Sequence, residues 1–566
     1  MKTMLRTSRA AALTALLLAA GPSLIAGSAT FVGTTTNGSW TNPANWNPGI
    51  PDVGDDVVIA NTTLTNVVTL PDSRVIGSVL FGDTGGRTTA FSINNTVAAN
   101  SLTLTNGLTA NGALGGVINL FRIPTIIGAD QTWFIAGTPG AVTGDSGIGV
   151  DRRANGTQTP FNLSGNLTKT GPGQLTFIGA NITNNGNFTI NQGVVKFNGG
   201  SSTTMSASGG GQIEINSGAK LMLFRNSGAV TCTKPIVLNS GGTLEFGGNN
   251  AAGATYGFPL TLSGNVTLSS GGGVAGQKYY VLSGAWNGNA AINGTAVGSD
   301  VVILVLSNNI TGWTGSLNNA GNGFRIAFAS PAPGNAAVAW SLNQAGAVLE
   351  TYGATDVQLG SLGGSSGTLR NSNPGSTAAT VTIGALNTST TFGGVIADNL
   401  AALGVTKTGS GSLTFTGNNT YSGGTLVSSG TLRLQGAAAN AGSGNVSVNA
   451  GATFGGSGSA VGAVNVAQQG TLVADGGTGS PALTVGPLTF GTAGSDFTTN
   501  IANVYLGGKV VATSGLTVNG TCTINVTGAA PAVGTYDLIQ HGGSIGGAGY
   551  AGFQLGALPY GVVAHL

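Results

Sequence analysis

Apolar and polar residues alternate in short stretches along most of the chain. Leu167-Thr168-Lys169-Thr170, Gln174-Leu175-Thr176-Phe177, Asn187-Phe188-Thr189-Ile190 and Thr431-Leu432-Arg433-Leu434 all show it. A period of two over four to six residues predicts half-buried strands. Gly, Asn and Ser pairs separate the stretches, as turns with positive φ require. Beyond the first 29 residues no segment carries helical periodicity, so the chain reads as all-β.

The strands recur at a fixed distance. A small polar residue, a glycine and an alternating stretch return at Gly193, Gly218 and Gly242, and again at Gly430, Gly451 and Gly470. The steps are 25 and 24 residues in the first run and 21 and 19 in the second. About 20–25 residues make one coil of a β-solenoid, with short strands and tight corners. At each corner the glycine is expected where a Cβ would clash. The expected fold is an elongated right-handed parallel β-solenoid with Gly/Asn-rich turns, its Asn side chains bonding along the axis.

A longer unit also repeats. Leu167-Thr168-Lys169-Thr170-Gly171-Pro172-Gly173-Gln174-Leu175-Thr176-Phe177 parallels Val405-Thr406-Lys407-Thr408-Gly409-Ser410-Gly411-Ser412-Leu413-Thr414-Phe415. The second copy runs on through Gly417, Asn419, Tyr421, Gly423, Gly424 and Gly430 to Leu434; the first continues less regularly to Phe197. This unit resembles the autotransporter-associated β-strand repeat, also called the passenger-associated transport repeat. Residues 405–434 follow its pattern nearly throughout, and residues 167–197 follow it best in their first half. The resemblance implies the passenger region of an exported bacterial surface protein. Its signature positions here are Lys169, Gly171, Gly173, Leu175, Lys407, Gly409, Gly411, Leu413, Gly417, Asn419, Tyr421, Gly423, Gly424 and Gly430.

The flanks extend the likeness. Ser39-Trp40 through Asn45-Trp46, then Pro51 to Ile59, resembles the opening segment of such proteins, with tryptophans placed to cover the first coil's open edge. Gly534 to Ile539 and Phe553 to Pro559 resemble the segment after the last repeat. Only 86 residues, 481–566, follow Ser480, too few for the large barrel that ends a complete autotransporter. The organisation read from the sequence is a signal peptide over 1–29, a capping β-rich segment over 30–160, the solenoid over 161–480 and a C-terminal β segment over 481–566.

Composition narrows the function. Glycine supplies 100 of 566 residues, against a usual share of roughly 7%. The 18 prolines show no three-residue period with glycine, which excludes collagen. Charged residues are 6% and hydrophobic residues 41%, with mean hydropathy +0.26, the opposite of a disordered composition. A net charge of +2 from 19 basic and 17 acidic residues gives nothing to neutralise a run of phosphates, so nucleic acid is not an expected partner. Lys2, Arg6 and Arg9 followed by apolar Ala10 to Ala20 read as an export signal, cut after Ala26 or Ala29. No later segment is long and apolar enough to span a bilayer as a helix. Cys232 and Cys522, each between threonines, read as buried strand residues without a disulfide.

Candidate chemistry is sparse. Gly144-Asp145-Ser146-Gly147 mimics a serine-protease nucleophile, but the only histidines, His541 and His565, lie near the far end. Gly363-Gly364-Ser365-Ser366-Gly367 mimics a nucleophile elbow without the helix that elbow requires. Asp52, Asp55 and Asp56 read as turn caps, and Asp145, Asp151, Arg152 and Arg153 as a solvated loop tip. Aspartates do not recur in a calcium-repeat pattern, and the cysteines and histidines are too few for a zinc site. Lys169 and Lys407 read as outward, solubilising strand residues. No catalytic residue, cofactor or metal is therefore expected. The expected function is a non-enzymatic stalk or adhesin, exported to the surface or medium and meeting cell-surface components or glycans. It would need export machinery and a separate anchor. The competing readings are an exported β-helix enzyme acting on polysaccharide and an autotransporter that has lost its barrel.

Overall fold

The computed structural model describes residues 27–566 apart from 34–36, 61–65, 83–90, 112–117, 138–146, 152–155, 206–209, 250–252, 274–275, 298–300, 309, 331–333, 476–481, 494–499, 507 and 531. The expected leader thus falls outside the described residues as far as Ala26.

Short strands close into coils, and the coils stack in parallel to form a β-solenoid. One coil consists of Thr159–Leu163, Leu167–Thr170 and Gln174–Ile178. The next consists of Ala180–Asn184, Phe188–Ile190 and Gly193–Asn198. Each strand pairs with its counterpart one coil on, so Phe161 faces Ile182, Lys169 faces Ile190 and Phe177 faces Phe197. The third ladder continues from Phe197 to Leu223 and Phe246. Toward the middle, the strand Leu260–Gly273 continues two ladders, pairing with Ile236–Leu238 and with Thr243–Gly248 on either side of Gly264 at φ +68°, and Trp286–Ala296 pairs with it in the next coil. The ladders cross residues 160/161 and 480/481 without a break, pairing Ile127 with Leu163 and Leu472 with Val504. No α-helix occurs among the described residues.

The alternating pattern becomes alternating burial. In Leu167–Thr170 the first and third residues face inward, and in Ala379–Ile383 the first, third and fifth do. One apolar core runs from Ala29 to Ile524. In its N-terminal part aromatic rings follow one another along the axis: Trp46, Phe31, Phe91, Phe81, Phe121, Trp133, Phe161, Phe177 and Phe197, with centroids 5.1–6.3 Å apart. Each buried Phe contributes about 1.5–3 kcal/mol by leaving water. Outside, asparagines link coils. Asn216 donates to Asn191 and Asn239 donates to Asn216, each at 2.7 Å. Cys232 and Cys522 are both buried and free, and burial pushes both thiols up to about 12.

The N-terminal edge is closed differently from the rest. Ser28–Phe31 pairs in parallel with Asp56–Ala60 on one side and antiparallel with Trp46–Asn47 on the other. That antiparallel pair is the sole one among the described strands. Trp40 and Trp46 are buried, their rings 4.7 Å apart, and the Trp46 indole N–H donates to the Trp40 carbonyl at 2.7 Å. The two tryptophans therefore lie over the first coil, and the reversed strand occupies an edge that would otherwise accept another chain.

The corner glycines divide into two kinds. Gly193, Gly218, Gly430 and Gly451 have φ between +67° and +75°. A Cβ at Gly193 or Gly430 would meet backbone carbonyls, whereas Gly218 and Gly451 have open space and need glycine for the angle alone. At the other two corners the left-handed residue stands one place earlier than expected, at Gly241 and Gln469 rather than Gly242 and Gly470.

Phe177 touches Phe161, Phe188 and Phe197. Phe177→Ala is expected to lower stability by about 3–5 kcal/mol. The outward Thr168→Ala should stay within about 0.5 kcal/mol. Denaturant unfolding of both variants checks the difference.

Candidate functional site

The two long units build the same corner, and its centre is a lysine. Lys169 and Lys407 sit on strand positions that alternate with outward threonines, so both side chains point inward. They are 0% and 1% exposed. The outward placement expected from the sequence is wrong for both. The physical reason lies in the Gly-x-Gly turn that follows each lysine, which directs backbone carbonyls back at the amine.

The Lys169 ammonium donates to the carbonyls of Gly171 and Gly173, each at 2.6 Å, and to that of Gln192 in the next coil at 2.9 Å. The Lys407 ammonium donates to Thr408 at 2.6 Å, Gly409 at 2.9 Å and Ser429 in the next coil at 3.2 Å. Three N–H donors thus find three acceptors. Burial pushes the Lys169 amine down to about 7 and Lys407 to about 8. The carbonyls act against that shift by favouring the charged form.

The glycine of the following corner completes the arrangement. A Cβ on Gly193 would stand 2.6 Å from the Lys169 amine, and one on Gly430 would stand 2.9 Å from that of Lys407. Each lysine therefore lies under the glycine of the next coil and ties two coils together. Leu175 and Leu413 fill the core just past the turn.

The second copy adds a further tie. Asn419 accepts the Ile396 N–H at 2.8 Å and donates to the Asn440 carbonyl at 2.7 Å. Its side-chain amide thereby replaces a ladder rung between the coils before and after it. Tyr421 is buried, and its hydroxyl lies 2.6 Å from that of Thr425. A Cβ on Gly417 or Gly423 would strike the preceding coil, and Gly424 turns at φ +85°. The first copy has a regular strand, Ala180–Asn184, where the second has Asn419.

A family model described as passenger-associated transport repeat matches residues 167–196 and 405–434. The chain carries two passenger-associated transport repeats. No curated protein and no solved structure matches it. The passenger-associated transport repeats and the parallel β-solenoid around them fit an autotransporter passenger.

Away from these repeats, the candidate catalytic groups have structural partners. Asp55 accepts from Gly27 and Asp52 backbone N–H groups at 2.7 and 2.9 Å, and Asp56 accepts from the N–H and hydroxyl of Ser78 at 2.8 and 2.7 Å. The side chain of Asp52 accepts the Val53 N–H at 2.8 Å. Asp151 is not at a loop tip; it ends the strand Gly147–Asp151 and pairs with Arg122 at 2.8 Å. Asp145, Ser146, Arg152 and Arg153 lie outside the described residues. Ser365 occupies a turn between Asp356–Gly363 and Thr368–Asn371, with no helix after it. Among the described residues no group of three or more His, Cys, Asp or Glu is placed to hold a metal. No described helix is long and apolar enough to cross a membrane. A groove of about 550 Å³ beside the second repeat is lined by Thr406, Ser422, Asn445, Ser447 and their neighbours, none of them ionisable.

Lys407→Met is expected to lower stability by about 1–3 kcal/mol, because buried carbonyls lose their donor. Lys407→Arg should not restore it, since a planar fork cannot converge on three carbonyls beneath a glycine. Gly430→Ala should destabilise as well. Thermal unfolding of the three variants tests the tie, and an unchanged midpoint for Lys407→Met would contradict it.

Proposed function

We propose that the chain is a passenger-like rod of an exported bacterial protein, placed at the outer surface or in the medium, and that it works as a stalk or adhesin without catalysis. The observation that carries this reading is the pair of lysine-centred passenger-associated transport repeats set in one unbroken stack. Its ionisable side chains support the reading from another direction. Lys169, Lys407, Asp55, Asp56 and Asp151 each bond to groups that hold neighbouring turns or coils together. A stack of this length at about 4.8 Å per coil extends on the order of 100 Å, enough to carry a contact surface away from the cell. Its partners are cell-surface components or glycans, together with export machinery.

Fractionation of cells expressing a tagged chain tests the placement. The protein is expected on the outer surface or in the medium, and retention in the cytoplasm would contradict export. Incubating the purified rod with a panel of polysaccharides tests the second half; clear depolymerisation would replace the stalk with an enzyme.

A further inference from the structure

The solenoid carries a second apolar cluster, on its outside. The strands Gln277–Leu282, Val301–Leu306, Phe324–Phe328, Val348–Thr351 and Thr368–Asn371 stack in parallel on one face. Tyr280, Leu304, Ile326 and Leu349 point into the main core. Ile303, Val305 and Ala327 have the opposite parity, and yet none is more than 2% exposed. They form a cluster of their own, against which the half-buried Tyr279 and Tyr352 pack. The two rings meet with centroids 5.3 Å apart and planes 31° from parallel, across three steps of the ladder.

Charge stands beside this cluster. Ile303 pairs with Arg325, and Ala327 with Glu350, which pairs in turn with Arg370. One oxygen of Glu350 accepts from Nε and Nη2 of Arg370 at 2.8 and 2.7 Å and from the Ser372 hydroxyl at 2.7 Å. Arg325 is differently placed: its Nε and Nη1 are buried with no hydrogen-bond partner among the described residues. Burial and the neighbouring Arg370 push the Arg325 guanidinium below its ordinary value, while Glu350 and Tyr279 act the other way. Arg325, Arg370 and Glu350 together therefore leave one positive charge without a counter-charge.

We propose that this face binds an acidic polysaccharide, a uronic-acid chain whose sugar ring lies on Tyr279 and Tyr352 and whose carboxylate meets Arg325. The proposal rests on the glycan-contacting reading above and names the class of sugar. The unpaired cation selects an anionic partner, because Arg–carboxylate bonds are charge-assisted. Each tyrosine offers an apolar ring with a polar tip, which suits a pyranose with a C–H face toward the ring and hydroxyls around its rim. A peptide added as an extra strand would need a free strand edge. Every strand of this face has a neighbour on both sides. Recognition is left to the aromatic planes and the guanidinium.

Affinity electrophoresis of the purified chain through gels carrying polygalacturonate, neutral dextran or polyglutamate tests this. Polygalacturonate is expected to retard the chain, and the other two are not. Tyr352→Ala and Arg325→Gln should each weaken the interaction about tenfold, the worth of one bond to a charged group. Tyr352→Trp keeps an aromatic plane and should keep the retardation, which separates a lost ring from a lost fold. Unchanged retardation of the Ala and Gln variants would overturn the site and leave glycan contact to another part of the rod. Equal retardation by dextran would overturn the acidic class, and equal retardation by polyglutamate would overturn the sugar. No retardation by polygalacturonate would overturn the proposal alone, since cell fractionation decides export separately.

Discussion

Everything in this molecule depends on the backbone rung between neighbouring coils. A coil of three short strands encloses too little apolar volume to stand alone. Its strand edges also carry N–H and C=O groups that need partners on both sides. Stacking meets both needs at once, because one added coil extends the core and satisfies an edge. The ends of the stack are the weak point. At the N-terminal end the reversed strand Trp46–Asn47 and the buried Trp40 and Trp46 close the sheet.

The passenger-associated transport repeat can be understood as a device for fastening one coil to the next at a corner, where the ladder is interrupted. A turn of Gly-x-Gly brings carbonyls inward, and Lys169 or Lys407 donates to them from within the coil, at Gly173 beside a 3.3 Å bond from the Val194 N–H. The third donor crosses to the next coil, at Gln192 or Ser429. This explains why the unit is longer than a single coil: the glycine at Gly193 or Gly430 belongs to the following corner and must leave room for the amine. Placing a cation there has a desolvation cost, offset by charge-assisted bonds that an apolar side chain cannot make.

Much of this was legible in the sequence. Alternation in Leu167–Thr170 and Thr431–Leu434 located strands, and the glycine steps located coils, because both follow from local periodicity. The lysines were misread because charge was weighed above parity. Lys169 shares its parity with Leu167 and therefore its side of the strand, whatever its chemistry. Position alone could have revealed it. The role of Asn419 was hidden for a different reason: its partners at Ile396 and Asn440 lie one coil away in each direction, and no local pattern marks them. The corner shifts to Gly241 and Gln469 were likewise hidden, since adjacent small or polar residues can share a turn. Asp151 was placed on a loop because its partner, Arg122, belongs to the neighbouring coil.

The central claim is that the chain forms one continuous stack rather than several compact units. Small-angle X-ray scattering of the purified mature chain tests it most directly. The account predicts a single rod of constant cross-section with a maximum dimension on the order of 100 Å, set by the 4.8 Å rise per coil. A compact particle with a radius of gyration near the roughly 24 Å expected of a globular chain this long, or separate globules joined by a linker, would contradict it.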